Sequence, residues 1–194
     1  MLLSKFRLVP VLVLAAALSF YLLTQPTLST VRLFSKAFAV SGVLLLSASM
    51  AVGPISRFWP TAQSYVQHRK YWGLAGFAFG VLHAVLAFSD PLLFSAQLAF
   101  SRPNVRLGLA ALVVFALLAV TSNPWAQRKL GARNWKRLQQ LGYLGLLLVG
   151  LDLFVLADGS FIRTPLGASL AILVFGTLVL AAVPYAHEFR RLRS

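Results

Sequence analysis

The chain has 194 residues, 59% of them hydrophobic, with a mean hydropathy of +0.79 and a formal net charge of +14 from 18 Lys and Arg against four acids. Such a composition excludes an ordinary soluble domain and points to a polytopic helical membrane protein. The apolar runs are continuous, without the alternation of an outer-membrane barrel. The basic residues gather at the ends of those runs, as membrane topology requires, so the charge does not imply nucleic acid. The absence of cysteine excludes disulfides and iron–sulfur clusters.

Met1–Arg7 is short and basic. Residues 8–23 form the first apolar run, which has the look of a signal peptide, but no clear cleavage site follows and a first membrane helix is the preferred reading. Thr24–Thr30 is rich in turn residues. A second span is expected over 38–55, stopped by Gly53-Pro54, with Ser41, Ser47 and Ser49 bonding their own helix carbonyls. A loop with His68-Arg69-Lys70 leads into the third span, 71–88, which ends at Ser89-Asp90-Pro91. A partly amphipathic connector, 92–103, is suited to the membrane surface. The fourth span covers 106–120. The most basic loop, 125–137, precedes the fifth span, 138–156. Ala157–Ser160 turns the chain into the sixth, 165–184, and a basic tail that includes His187 follows. The expected fold is therefore all-α: a polytopic membrane protein, a six-transmembrane-helix bundle forming a single domain over 1–194.

Six spans put both termini on one side. Thirteen of the 18 Lys and Arg fall on that side, five on the other, so both termini are expected in the cytoplasm of a bacterial-type inner membrane.

The third span holds the main functional lead. Its one imidazole, His83, lies on a helix face with Gly73, Gly76, Gly80 and Ala87. Small residues let a helix or a flat cofactor approach the backbone, and a polar group at that depth faces protein. The Gly76–Gly80 pair is equally a GxxxG packing motif, so packing and ligand binding both remain open. Asp152, in the fifth span, and His83 each lie about 20 Å along their helices at 1.5 Å per residue. A His83–Asp152 contact is expected if the two helices are neighbours, with snorkelling of Asp152 to water the alternative. Gln139 marks the basic end of the fifth span. His68 and His187 are expected at the interface, solvated. No nucleotide loop, nucleophile elbow or di-metal motif is present.

Two stretches carry a resemblance. His68-Arg-Lys-Tyr-Trp-Gly-Leu74, leading to His83, resembles the third helix of ferric reductase-like transmembrane domains. Thr121–Leu144 is similar to the matching region of the MsrQ (YedZ) branch of that family, the heme-binding membrane subunits of periplasmic methionine sulfoxide reductases. There a Q-[RK]-x-L-G run (Gln127–Gly131), a W-x-x-L-H run (Trp135 to Gln139) and a Tyr-Leu pair (Tyr143-Leu144) occur in order. The resemblance covers about Ser41 to the carboxyl end. It implies b-type heme between the third and fifth helices, and electrons passed from the quinone pool or a flavin reductase to a periplasmic molybdenum-cofactor reductase. No flavin or nucleotide domain lies in this chain. The family's three ligand histidines fall on His83, Gln139 and Asp152, so one is kept. On an ideal helix Gln139 and Asp152 lie about 140° apart, which does not present both to one cofactor face. Two functions are thus expected: an electron-transfer subunit with heme at His83, its iron ligand, beside Gly76 and Gly80, or a heme-less relic acting as a structural or assembly partner.

Overall fold

The computed structural model describes residues 8–90 and 95–191, without the side chains of 98, 99, 157, 158 and 184–191. The basic amino end, residues 91–94 of the connector and the His187 side chain lie outside it. The described residues are about 90% helical and contain no strand. Six long helices follow in order: α1 Val9–Thr24, α2 Thr30–Phe58, α3 Arg69–Ser89, α4 Pro103–Val120, α5 Pro124–Val155 and α6 Pro165–Arg191. Short helical turns join them at Pro60–Val66, Ala96–Ser101 and Leu156–Arg163. Five helices are long and apolar enough to cross a bilayer. The first, at 16 residues, measures about 24 Å against a hydrocarbon core of about 30 Å.

Local chemistry sets the helix starts. Proline, whose missing N–H costs nothing at a helix start, opens α4, α5 and α6. The Ser29 hydroxyl accepts from the Arg32 N–H at 3.3 Å, and the Asn123 side-chain oxygen from the Ala126 N–H at 2.8 Å, each satisfying an otherwise unpaired donor. Because that serine cap lies upstream, α2 starts eight residues before the expected 38.

The expected stop at Gly53-Pro54 is corrected: α2 runs through Pro54 to Phe58. Proline leaves the carbonyl four residues earlier without a helix donor. That carbonyl belongs to Met50, and the Tyr143 hydroxyl of α5 donates to it at 3.3 Å. A neighbouring helix thus supplies what the sequence removes. The basic stretch expected as a loop is also helical, as the first part of α5. It bends at Gly131, whose φ of 73° is open to glycine.

Two tight hairpins form the body, α2 with α3 and α4 with α5. They meet more loosely through α3–α4 and α2–α5, closing a ring of four in which α3 and α5 stand diagonally apart. α1 packs on α2, and α6 on α2 and α5. Lipid tails are as apolar as leucine, so packing rather than water exclusion holds such helices together. Small residues carry that packing. A Cβ on Gly76 would stand 3.1 Å from the Gly42 carbonyl oxygen, and one on Gly42 3.2 Å from that of Gly76, so the α2 and α3 backbones touch there. On α5, Gly142 receives Met50, Gly145 receives Phe115 and Gly150 receives Phe175. Leu45 of α2, Leu146 of α5 and Val174 of α6 are fully buried, the last two in one core cluster.

The α2 serines do not behave as expected. Ser49 donates across to the Arg69 carbonyl of α3 at 2.8 Å. The buried hydroxyls of Ser41 and Ser47 have no hydrogen-bond partner among the described residues. Their small size is what the crowded α2 faces require. His68, expected to be solvated, is only 3% exposed and stacks on Trp72, ring centroids 6.3 Å apart.

Candidate functional site

His83 projects from α3 toward the first turns of α2. Its Nδ1 lies 3.0 Å from both the backbone oxygen and the hydroxyl of Ser35. A carbonyl oxygen only accepts, and an unprotonated ring nitrogen facing it would set lone pair against lone pair. Nδ1 therefore carries the proton and donates to Ser35. The lone pair is left on Nε2, which makes no hydrogen bond among the described residues. This is the arrangement by which proteins orient a ligating imidazole.

The expected His83–Asp152 contact is not formed. The two residues stand on α3 and α5, which are not a packed pair, and His83 is held by α2. Asp152 is partly buried, and its Oδ1 is buried with no hydrogen-bond partner among the described residues. Gln139 donates from its amide nitrogen to the Thr121 hydroxyl at 3.4 Å, and Trp135 donates to the Thr121 carbonyl at 2.9 Å. Both bonds pin α5 to the end of α4. The two small residues of the candidate cradle differ. Gly76 is filled by Leu46 and Gly42 of α2, whereas a Cβ on Gly80 would meet only Leu112 at an ordinary 3.5 Å. The face read as Gly, Gly, Gly, His is thus a tight packing seam over Gly73 and Gly76 and is packed at ordinary contact distance at Gly80.

A cavity of about 430 Å³ does lie inside the ring, but around the basic end. Its walls include Leu46 and Met50 of α2, Gly73 and Phe77 of α3, Phe115 of α4 and Gln139 of α5. No histidine lines it. His83 lies six residues beyond Phe77, about 9 Å along the helix. The space between the two hairpins and the free imidazole nitrogen are therefore at different levels. Among the described residues no group of three or more His, Asp or Glu is gathered to hold a metal ion. The donor set fits a heme at one axial bond, from His83 Nε2. It does not fit at two, because Gln139 is tied to Thr121 and carries no imidazole.

At the opposite end the structure brings together residues that sequence reasoning missed. Asp90 caps α3. It accepts from the Ser29 hydroxyl at 2.9 Å and from Arg32 at 3.2 and 3.3 Å through both carboxylate oxygens. The signal was an acid at a span end in a chain with four acids in all. The Ser29 hydrogen bond, with Arg32 adding to it, holds the Asp90 carboxyl below its ordinary value. A lowered carboxylate contributes stability above its unfolded value, about 4, and that contribution fades as pH falls through the folded value. Asp90→Asn is therefore expected to flatten the acid limb of the thermal-stability profile below about pH 4, read by melts in detergent. An unchanged acid limb would mean that the Asp90 contacts with Ser29 and Arg32 add no stability.

The described fold and its site define an all-α polytopic membrane protein built on a four-helix ring with one oriented imidazole. The family model for the ferric reductase like transmembrane component matches residues 37–150, which is most of α2 through α5, and the chain belongs to that family. It is similar to the protein-methionine-sulfoxide reductase heme-binding subunit MsrQ of Yersinia enterocolitica, 37% identical over 110 residues, 54% of this chain and 54% of that protein. The subunit of the same name from Rhizobium meliloti is 32% identical over 120 residues, 60% of this chain and 54% of that protein. The one from Agrobacterium fabrum is 32% identical over 139 residues, 70% and 63%. The chain thus spans about half to under two thirds of the length of these relatives.

Proposed function

We propose that this chain is a membrane electron-transfer subunit of the MsrQ kind, with His83 as the sole histidine ligand of a b-type heme. The observation that carries the reading is the Nδ1 bond to the Ser35 carbonyl, which fixes the tautomer and leaves Nε2 free, on the helix where the family resemblance expects a ligand. A heme bound there would supply a one-electron carrier. The chain's own residues orient the imidazole through Ser35 and keep α2 and α3 in register through the Gly42–Gly76 contact. The whole chain acts as one membrane domain with six spans in a bacterial inner membrane, both termini cytoplasmic, since that arrangement places most Lys and Arg inside. The partner is a periplasmic molybdenum-cofactor reductase, and the electrons come from the quinone pool or a flavin reductase.

A second reading has its own support. The bond from Gln139 to Thr121 and the unpartnered Asp152 oxygen leave no second histidine, which favours a heme-less structural or assembly partner. An optical spectrum of the purified protein separates the two. A Soret band that shifts on dithionite reduction is expected, at no more than one heme per chain, and it should vanish in His83→Ala while Gln139→Ala keeps it. A folded, colourless wild-type protein would leave the second reading.

A further inference from the structure

The basic-end cavity carries chemistry that the redox reading does not use. Arg57 of α2, Arg69 and Lys70 of α3 and Lys136 of α5 all line it. No carboxylate is among its walls, and none of the four makes an ion pair among the described residues. Deeper in, the walls turn apolar through Leu46, Phe77, Phe115 and Leu118. Arg69 is placed there by its surroundings. A Cβ on residue 53 would stand 3.1 Å from its Nη1, so glycine at 53 lets the guanidinium lie across α2, and Nη2 reaches the Met50 sulfur at 3.9 Å. The position is a membrane-interface one, because α3 enters its apolar span immediately after Arg69 and Lys70.

From this geometry we propose that the cavity binds an anionic phospholipid, its phosphate among Arg57, Arg69, Lys70 and Lys136 and the upper part of a chain against Leu46, Phe77, Phe115 and Leu118. Four like charges around one mouth repel one another until an anion joins them, and basic pockets between membrane helices hold acidic headgroups for that reason. A guanidinium beside ammonium groups suits a phosphodiester, since arginine forks onto two oxygens while lysine adds point charge. An apolar interior beneath a charged rim matches an amphiphile and not a free ion. The volume of about 430 Å³ falls within the usual range for a small-ligand site, which suffices for a headgroup and the start of a chain. The site is separate from His83 and does not depend on heme.

The test follows thermal unfolding of the full chain in neutral detergent, titrated with phosphatidylglycerol, phosphatidylcholine or inorganic phosphate at fixed ionic strength. Phosphatidylglycerol alone is expected to raise the melting temperature. The Arg57→Gln, Lys136→Gln double variant should weaken that apparent affinity about tenfold. An Arg133→Gln, Arg137→Gln variant removes the same charge from exposed positions outside the cavity and should change it by less than about twofold. An equal response to phosphatidylcholine, reproduction of the effect by inorganic phosphate, or equal weakening in both double variants overturns the proposal. Native mass spectrometry of the unmutated protein gives a reading that does not depend on how the variants fold. One retained phosphatidylglycerol per chain supports the site, and its absence under conditions that preserve other lipid adducts rejects it.

Discussion

Gly76→Leu is expected to destabilise the protein by about 3 kcal/mol, the upper end of the usual cost of overpacking. The reason is what the added atoms meet. A Cβ at 76 would stand 2.9 Å from Leu46 Cγ, 3.0 Å from the Leu46 backbone nitrogen and 3.1 Å from the Gly42 carbonyl oxygen. A side chain can rotate away, but two of these atoms are backbone of α2, so relief requires the helices to part. The α2–α3 pair is the tightest in the fold, and parting it also lengthens the Ser49–Arg69 and His83–Ser35 bonds. Gly80→Ala is the internal comparison. Its Cβ would meet only Leu112 at 3.5 Å, an ordinary contact, so it should be nearly neutral. Thermal melts of both variants in one detergent decide the matter. Equal behaviour of the two would mean that the glycine face is not packed more tightly at 76 than at 80.

Tyr143→Phe is expected to cost about 1–3 kcal/mol, the penalty for leaving a buried acceptor unpaired. Its hydroxyl donates to the Met50 carbonyl that Pro54 deprives of a helix partner. In a Pro54→Ala background the backbone N–H of residue 54 is restored and reaches the same carbonyl, so Tyr143→Phe should cost less there. A double-mutant cycle measures this, with an expected coupling of about 1 kcal/mol for neighbours sharing one acceptor. Additive losses would mean that the tyrosine acts by filling space and not by satisfying the proline-exposed carbonyl.

These two residues also mark how far the sequence could be read. Pro54 reads as a stop because a proline inside a helix removes one bond. That inference is local, and what overrides it, a hydroxyl 89 positions away on α5, is not. The α2 start at Ser29 lies in the stretch read as a turn, and the apolar run only begins in earnest some residues later, so Ser35 stayed outside the expected span and the partner of His83 was missed. Asp152 and His83 were expected at similar depth, but depth along a helix says nothing about which helices touch. Once α2 and α4 stand between α3 and α5 in the ring, the pair cannot meet through side-chain length alone. The basic stretch before the fifth span looked like a loop because charge density hid its helical run, broken only where Gly131 turns to a positive φ.

Composition and run length by themselves determined the class of this protein: helices that close their own backbone bonds are the solution open to long continuous apolar runs in lipid. The sequence also picked out His83, because one imidazole in an uncharged span is conspicuous whatever surrounds it, and it carried the family through the Gln127–Leu144 region. Only the tertiary structure decided what the glycines do, which ring nitrogen is free and where the open space lies. Those properties belong to pairs of helices. A glycine is a seam or a gap according to the backbone opposite it, and a cavity exists where two hairpins fail to close, which no single stretch of chain contains.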